Sequence, residues 1–381
     1  MARALGERTD KLVEIKALRF LSPTQIILDG VKFLAPQSPH TEGFVFTEFA
    51  ADSVKLDYGI SGLGPYWNRA EVQGAVFSLH GPKLLSKDFR FVEKLLGPQP
   101  RRVGLRQSVF ELSWCDTSPS DDRFTRPSVD LIDASGHLEW DGLGKMALRL
   151  TGREDTAVPG PPVHLRGHIH NSATTLESVF FIKGKRLASA MDFLEMALPA
   201  EISSLSGDLS DGEIHLGSRG ANGSAEVKGI LKSSDLKHLL YAFGLRGIEG
   251  CLEGKIKQLS LENDQITQFQ VEVLGNGKGK LDEQTVQDLN FLLSGERPVI
   301  SEEVSHFTYE RLGLGISYDG QKTTFRGLID EEGRVAIESY ANNTVISLIT
   351  VSPEPIGVDL LRERWQEIEK EGDIQPLKLA K

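Results

Sequence analysis

Apolar and polar residues alternate one by one through much of this chain, and no other feature constrains its fold as strongly. The alternation returns in strand-length segments separated by Gly, Asp and Asn: 54–58, 110–114, 146–150, 225–229, 248–256 and 269–273. Successive side chains of a β-strand point to opposite faces, so this period of two predicts strands with one apolar and one polar face. Such strands are typical of antiparallel sheets, because strands of parallel sheets are usually apolar on both faces.

The C-terminal third of the chain predicts a meander of four strands. Asp319-Gly320 is a favoured two-residue hairpin turn, and it separates a strand at 312–318 from a strand at 323–329. A third strand around 335–337 and a fourth at 345–350 complete the meander.

Four short segments have helical spacing instead. Apolar residues recur every three or four positions in 187–194, 236–243, 286–293 and 358–368. Asp282 is the predicted N-cap of the third helix. Each apolar stripe covers one face only, so the helices are expected to cover the sheet rather than form a bundle. We expect the last helix to cap the end of the meander, to shield an open edge or groove mouth, and to bury Trp365.

A length of 381 residues suits two domains or one elongated all-β body. The Pro-rich segment 158–162 is the best linker candidate. It would divide the chain into an N-terminal β region, 1–158, and a C-terminal β region, 163–381, which holds short helices and the meander. One continuous sheet across this segment is equally compatible. The expected fold class is mainly β: an elongated, twisted antiparallel sheet forming a groove or trough, with a few short covering helices. A closed sandwich is the alternative.

Charge, cysteine content and hydropathy narrow the possible functions. With 43 Lys and Arg against 54 Asp and Glu, the net charge of −11 argues against a nucleic-acid partner. Cys115 and Cys251 are too few for a disulfide framework or a zinc site. The chain shows neither a signal peptide nor the roughly 18 apolar residues of a membrane span. We therefore expect a protein that works where it is made, or one whose membrane anchor is missing from this sequence.

Three histidines form the sharpest cluster of chemically versatile side chains. His164, His168 and His170 would share one face of a strand, with alternate residues about 7 Å apart. Such a set is a plausible metal site, which would suit a metal-dependent enzyme. Against this, Arg166 lies among the three imidazoles, and no carboxylate or cysteine lies close to them in sequence. The competing interpretation is a solvated polar face, and on that interpretation no metal or other cofactor is expected.

The chain lacks recognisable catalytic motifs. The glycine-rich segment 275–280 follows a predicted strand and precedes a predicted helix, but it departs from both nucleotide-binding fingerprints. A tight basic turn that leads into Asp282 is the simpler interpretation. No nucleophile motif is complete, and the carboxylates are scattered. We therefore predict no catalytic residues and a protein that is not an enzyme.

Four segments carry weak patterns of glycine and aliphatic residues: 12–31, 193–216, 250–289 and 355–361. These patterns resemble the AsmA-like superfamily, including its YdbH- and TamB-type members. The resemblance implies an elongated β-groove protein of a Gram-negative-type envelope, tethered to the inner membrane by an N-terminal helix and projecting into the periplasm. It also implies a role in phospholipid transport or outer-membrane assembly.

These observations together predict a non-enzymatic protein for lipid transfer or envelope biogenesis, which holds acyl chains in a hydrophobic β-groove. The expected partners are a phospholipid or another acyl-chain lipid, and the membrane itself through an anchor that this sequence lacks. The expected lining residues lie on apolar strand faces: Leu252, Ile256, Val271, Val273, Leu312, Leu314 and Ile316. The alternative function is a structural or adhesive β-sandwich interaction protein with no lipid ligand.

Overall fold

The computed structural model describes most of the chain, in fourteen stretches. These are residues 12–34, 49–61, 64–81, 85–114, 127–157, 159–172, 175–196, 207–232, 247–263, 265–275, 277–298, 306–341, 344–352 and 354–371. The protein is mainly β, as predicted: most strands belong to a large mixed sheet, three short strands form a second sheet, and four helices are described. The chain divides into two compact units, one formed by 1–196, 211–226 and 262–264, the other by 197–210, 227–261 and 265–381.

Unit 1 is built from long strands and two short helices. The strands are β1 (Leu12–Ser22), β2 (Gln25–Leu34), β3 (Phe49–Ser61), β4 (Gly64–Gln73), β5 (Val76–His80), β6 (Arg101–Ser113), β7 (Ser128–Trp140), β8 (Lys145–Glu154), β9 (Val163–Asn171), β10 (Leu176–Leu187) and most of β11 (Leu209–Arg219). The helices are α1 (Leu85–Leu96) and α2 (Ser189–Met196), and β12 (Asn222–Leu231) has residues in both units.

Most neighbouring strands of unit 1 are antiparallel, as expected, but two pairs are parallel. Both β4 and β5 pair with β6 in parallel. The cause is α1, which the alternation did not predict: it connects β5 to β6 and returns the chain in the same direction, as a parallel pair requires. The apolar residues Phe89, Val92 and Leu96 of α1 are buried.

Adjacent strands of unit 1 carry β-bulges at the same level. Gly74, between β4 and β5, has φ +61°, Gln107 in β6 has φ +47° and Asp133 in β7 has φ +50°. The Gly74 N–H donates to the Arg106 carbonyl (3.0 Å), and the Gln107 N–H donates to the Ser135 hydroxyl (3.4 Å). Each bulge inserts an extra residue into its strand, so the pairing register shifts in β6 and β7.

A buried carboxylate positions α2, whose spacing was predicted correctly. Glu154, at the end of β8, accepts hydrogen bonds from the backbone N–H groups of Ala188 (2.7 Å) and Ser189 (2.9 Å). The first N–H groups of a helix have no partner within the helix, and its N-terminus favours negative charge. Glu154 therefore caps α2 from a distant strand.

The Pro-rich segment proposed as a linker lies inside unit 1. It connects β8 to β9, and these strands pair antiparallel, with Gly152 opposite Val163. The expected division between 1–158 and 163–381 thus separates two paired strands. The first boundary between the two compact units follows residue 196.

Unit 2 contains shorter strands and two helices. The strands are β13 (Ile248–Glu249), β14 (Leu252–Glu262), β15 (Gln265–Gly275), β16 (Gly279–Asp282), β17 (His306–Tyr309), β18 (Arg311–Tyr318), β19 (Lys322–Gly327), β20 (Val335–Ala341), β21 (Thr344–Thr350) and β22 (Ile356–Gly357). The helices are α3 (Glu283–Ser294) and α4 (Val358–Glu371).

The predicted C-terminal strands are confirmed, and the turn at Asp319 forms as its sequence indicates. The Asp319 carboxylate accepts from the Lys322 N–H (2.8 Å), while the Asp319 N–H donates to the Lys322 carbonyl (3.2 Å). The strand order is more complex than a meander, because β18 pairs with β19 from Leu314 onward and with β20 at Arg311 and Leu312.

Helix α3 covers the apolar face of unit 2, as its sequence predicts. The Asp282 carboxylate accepts from the Thr285 N–H (2.7 Å), and Gly295 ends the helix with φ +82°. Val286, Leu289 and Leu293 are buried against the strands. The turn before Asp282 therefore leads into a helix cap, as expected.

The closing helix α4 forms, but its tryptophan is less buried than predicted. Trp365 is only half-buried, whereas Ile368 is buried and Leu361 packs against the core of unit 2. The Arg364 guanidinium donates to the Leu292 carbonyl of α3 (3.0 Å), so α4 docks beside that helix. The helix predicted at 236–243 and Cys115 lie outside the described residues.

Candidate functional site

The seven predicted lining residues lie within the hydrophobic interior of unit 2 or next to it. Leu252, Val273 and Leu312 belong to the core that α3 covers, and Leu314 and Ile316 pack against that core. Ile256 and Val271 are also buried. A ligand that contacts Leu252, Val273 or Leu312 would have to displace protein atoms that already cover them.

The predicted histidine strand is β9, and its three imidazoles share one exposed face. His164, His168 and His170 are exposed, while the intervening Leu165 and Ile169 are buried. The His164 Nδ1 lies 3.0 Å from the Thr151 hydroxyl of β8. Within the described stretches, no three His, Cys, Asp or Glu side chains are arranged to hold a metal ion. Exposure of all three imidazoles is what the interpretation as a solvated polar face requires.

An apolar surface that sequence reasoning missed lies on the first hairpin. Phe20 of β1 stands opposite Ile26 of β2, and Leu18 stands opposite Leu28. Directly opposite residues share a face of the sheet. Ile26 and Leu28 are buried, yet Leu18 is 41% exposed and Phe20 is 72% exposed. The apolar face of unit 1 is thus covered at β2 and open to solvent at β1.

The same apolar face continues into β3. Leu56 stands opposite Ile26, and Val54 stands opposite Leu28; both are half-buried. Leu18, Phe20, Ile26 and Leu28, the residues that form the face on the hairpin, are called the hairpin patch below. Because neighbouring positions on three strands are apolar, the exposed Phe20 is part of a surface and not an isolated side chain.

Strand β1 pairs antiparallel with β2 along its length, from Leu12 to Ser22. On the polar face of the hairpin, Arg19 forms a two-point ion pair with Asp29, at 2.7 and 2.8 Å. This contact with the guanidinium lowers the pKa of the Asp29 carboxyl. The ion pair lies on the opposite face from Phe20, so β1 is amphipathic.

A signal for the hairpin patch was present in the sequence. The alternation of Leu18 and Phe20, followed by Ser22-Pro23 and by Ile26 and Leu28, is the pattern of a hairpin with one apolar face. The pattern predicts which face is apolar, but it does not reveal whether another element covers that face.

Comparisons with known proteins place no further constraint on the function. No protein-family model matches the chain, and no curated protein matches its sequence. The resemblance to the AsmA-like superfamily stays a prediction. No helix in the described stretches combines the length and apolar character that crossing a membrane requires.

Proposed function

We propose that this chain is a non-enzymatic lipid-handling protein of the cell envelope, and that the hairpin patch contacts acyl chains. The observation that carries the proposal is the exposure of Phe20 and Leu18 on the apolar face where their partners Ile26 and Leu28 are buried. The superfamily resemblance supports the envelope setting, a periplasmic location and an association with the inner membrane. The lipid is a phospholipid or another molecule with an acyl chain.

The physical basis is the cost of apolar surface in water. Burial of apolar area contributes about 25 cal/mol per Å², or about 0.8 kcal/mol for each methylene of a bound chain. An acyl chain lying along Leu18 and Phe20 would cover both side chains and be covered by them. Such binding needs a dry, continuous apolar surface and no catalytic group.

The test replaces the two exposed residues of the patch with serine, in Leu18→Ser/Phe20→Ser. A fluorescent fatty-acid analogue is titrated into the full chain and its saturable binding is measured. We expect the double substitution to weaken binding at least tenfold, because two apolar contacts are replaced by hydroxyls. In the unaltered protein, a phospholipid with a photoreactive acyl chain should also crosslink to Phe20.

The matched control is Leu143→Ser. Leu143 is 84% exposed in the turn between β7 and β8, outside the hairpin patch. The Leu143→Ser variant should bind the fatty-acid analogue as tightly as the unaltered protein does. Absence of saturable binding to the unaltered protein, or equal losses in both variants, would contradict the proposal.

A further inference from the structure

The polar face of β8 and β9 concentrates basic and imidazole side chains in a chain of negative net charge. On both strands the alternate residues are buried, for example Leu148 and Leu165. Exposed basic and imidazole side chains alternate with these buried residues, and together they are called the basic face below. They are Lys145 and Arg149 of β8, and His164, Arg166, His168 and His170 of β9. No carboxylate occupies an exposed position on either strand between Lys145 and Thr151 or between His164 and His170.

Two arginines face each other at the centre of the basic face. Arg149 pairs directly with Arg166 across β8 and β9. Like charges at directly opposite positions destabilise a sheet, because their Cβ atoms lie about 5 Å apart. On the outer sides of this pair stand His137 of β7, opposite Arg149, and Phe181 of β10, opposite Arg166.

The carboxylates around the basic face are already engaged. Glu139 lies near Arg102 (3.9 Å) and His137 (3.7 Å). Glu177 pairs with Arg219 (3.2 Å). On other neighbouring positions, Lys183 pairs with Glu213 and Arg153 pairs with Asp133.

Arg149 and Arg166 form no ion pair with any residue that the structure describes. They are therefore two exposed guanidiniums whose mutual repulsion a bridging anion would relieve.

We propose that the basic face docks on an anionic phospholipid bilayer, with a headgroup phosphate bridging Arg149 and Arg166. Guanidinium groups bind phosphate oxygens through paired hydrogen bonds, and the flanking imidazole N–H groups of His164 and His168 can donate further ones. The proposal is independent of acyl-chain binding by the hairpin patch, which involves other strands.

Apolar neighbours favour a bilayer over a dissolved polyanion. Val179 (42% exposed) stands opposite His168, and Phe181 (43% exposed) stands opposite Arg166. Basic side chains beside exposed apolar ones suit the boundary between headgroups and acyl chains. A nucleic acid would extend beyond this face and meet a protein of net charge −11, which disfavours its binding.

The test measures co-sedimentation of the full chain with vesicles that contain phosphatidylglycerol, and with vesicles of phosphatidylcholine alone. Each basic residue near an anionic surface strengthens binding about fivefold, so Arg149→Gln/Arg166→Gln should weaken it about twenty-five-fold. The matched control, Arg90→Gln/Arg326→Gln, removes the same charge from exposed positions outside the basic face and should change binding less than threefold.

A second measurement shows that loss of binding is not loss of folding. The Arg149→Gln/Arg166→Gln variant should melt no lower than the unaltered protein, since it removes a repulsive pair. It should also bind the fatty-acid analogue unchanged, which separates this proposal from the proposed function.

Several results would overturn the bilayer proposal. Equal binding to both kinds of vesicle, or equal losses in the two double variants, would remove the basis for a local phosphate site. Displacement from vesicles by millimolar inorganic phosphate would reassign the site to a dissolved phosphate. Equal or tighter binding to duplex DNA would reassign it to a nucleic acid.

Discussion

Asn290 on α3 is the residue whose replacement tests the packing of unit 2 most directly. It is 5% exposed, and its side chain hydrogen-bonds to the backbone of β21. The amide Nδ2 donates to the Leu348 carbonyl (2.9 Å), and Oδ1 accepts from the Thr350 N–H (3.1 Å). The same Nδ2 also donates to the Val286 carbonyl within the helix (2.9 Å).

Asn290→Ala removes both hydrogen bonds to the backbone of β21. Each bond contributes about 1 kcal/mol net, and a buried backbone group left without a partner costs about 1–3 kcal/mol. The Thr350 side chain is exposed, so water can replace part of the loss there, whereas Leu348 is half-buried. We expect the free energy of unfolding to fall by about 2–4 kcal/mol.

The assay is urea unfolding, combined with amide hydrogen exchange resolved to Thr350. The Thr350 amide should lose protection in Asn290→Ala. Asn290→Asp should also be destabilising, because it keeps the acceptor for Thr350 but places a carboxylate oxygen against two carbonyls. Gln284→Ala is the control on the same helix: Gln284 is exposed, bonds only to Asp288, and should change stability by at most about 0.5 kcal/mol. Unchanged exchange at Thr350 would refute the role assigned to Asn290.

Three further predictions concern other contacts. Glu154→Ala should destabilise unit 1 by about 2–4 kcal/mol in urea unfolding, since it removes two charge-assisted hydrogen bonds to the N-terminus of α2. Asp130→Asn should raise the melting temperature at pH 7. Burial raises the pKa of Asp130 above its ordinary 3.8, and the nearby acids also raise it: Glu111, Asp155 and Glu154. An acid with a raised pKa destabilises the folded state when ionised, so the difference should shrink as the pH falls through the raised pKa and vanish below about 4. Deletion from Pro355 onward removes the buried Ile356 and Ile368 and exposes the apolar surface that they cover. The shortened protein should melt at a lower temperature, and light scattering should detect its self-association.

The parts of the fold that depend on local chemistry were predictable. The Asp319 turn, the Asp282 cap and the stripe of Val286, Leu289 and Leu293 each follow from residues close in sequence, and the structure confirms all of them. The mainly β class was equally accessible, because alternation with a period of two is a local property of each strand.

The parts that depend on distant contacts were not predictable. Helix α1 was missed although Phe89, Val92 and Leu96 have helical spacing, and the parallel pairing of β6 was missed with it. The alternation of Leu252 or Val273 is the same whether a ligand or α3 covers the strand, so the sequence could not separate a core from a binding surface. The exposure of Phe20 depends on which elements cover its face, and the hairpin pattern alone does not contain that information.

Each bulge in the neighbouring strands β6 and β7 shifts the alternation of buried and exposed residues by one position. In β6 the buried residues are Arg101 and Leu105 and then Ser108, Phe110 and Leu112, so the buried positions change from odd to even numbers at Gln107. Deletion of Gln107 would restore strict alternation, with Leu105 and Ser108 on the same buried face, but it would shift the pairing of β6 with either β4 or β5 by one residue. A single-residue change in length is therefore more damaging here than most substitutions, and β6 and its parallel partners β4 and β5 can gain or lose residues only together.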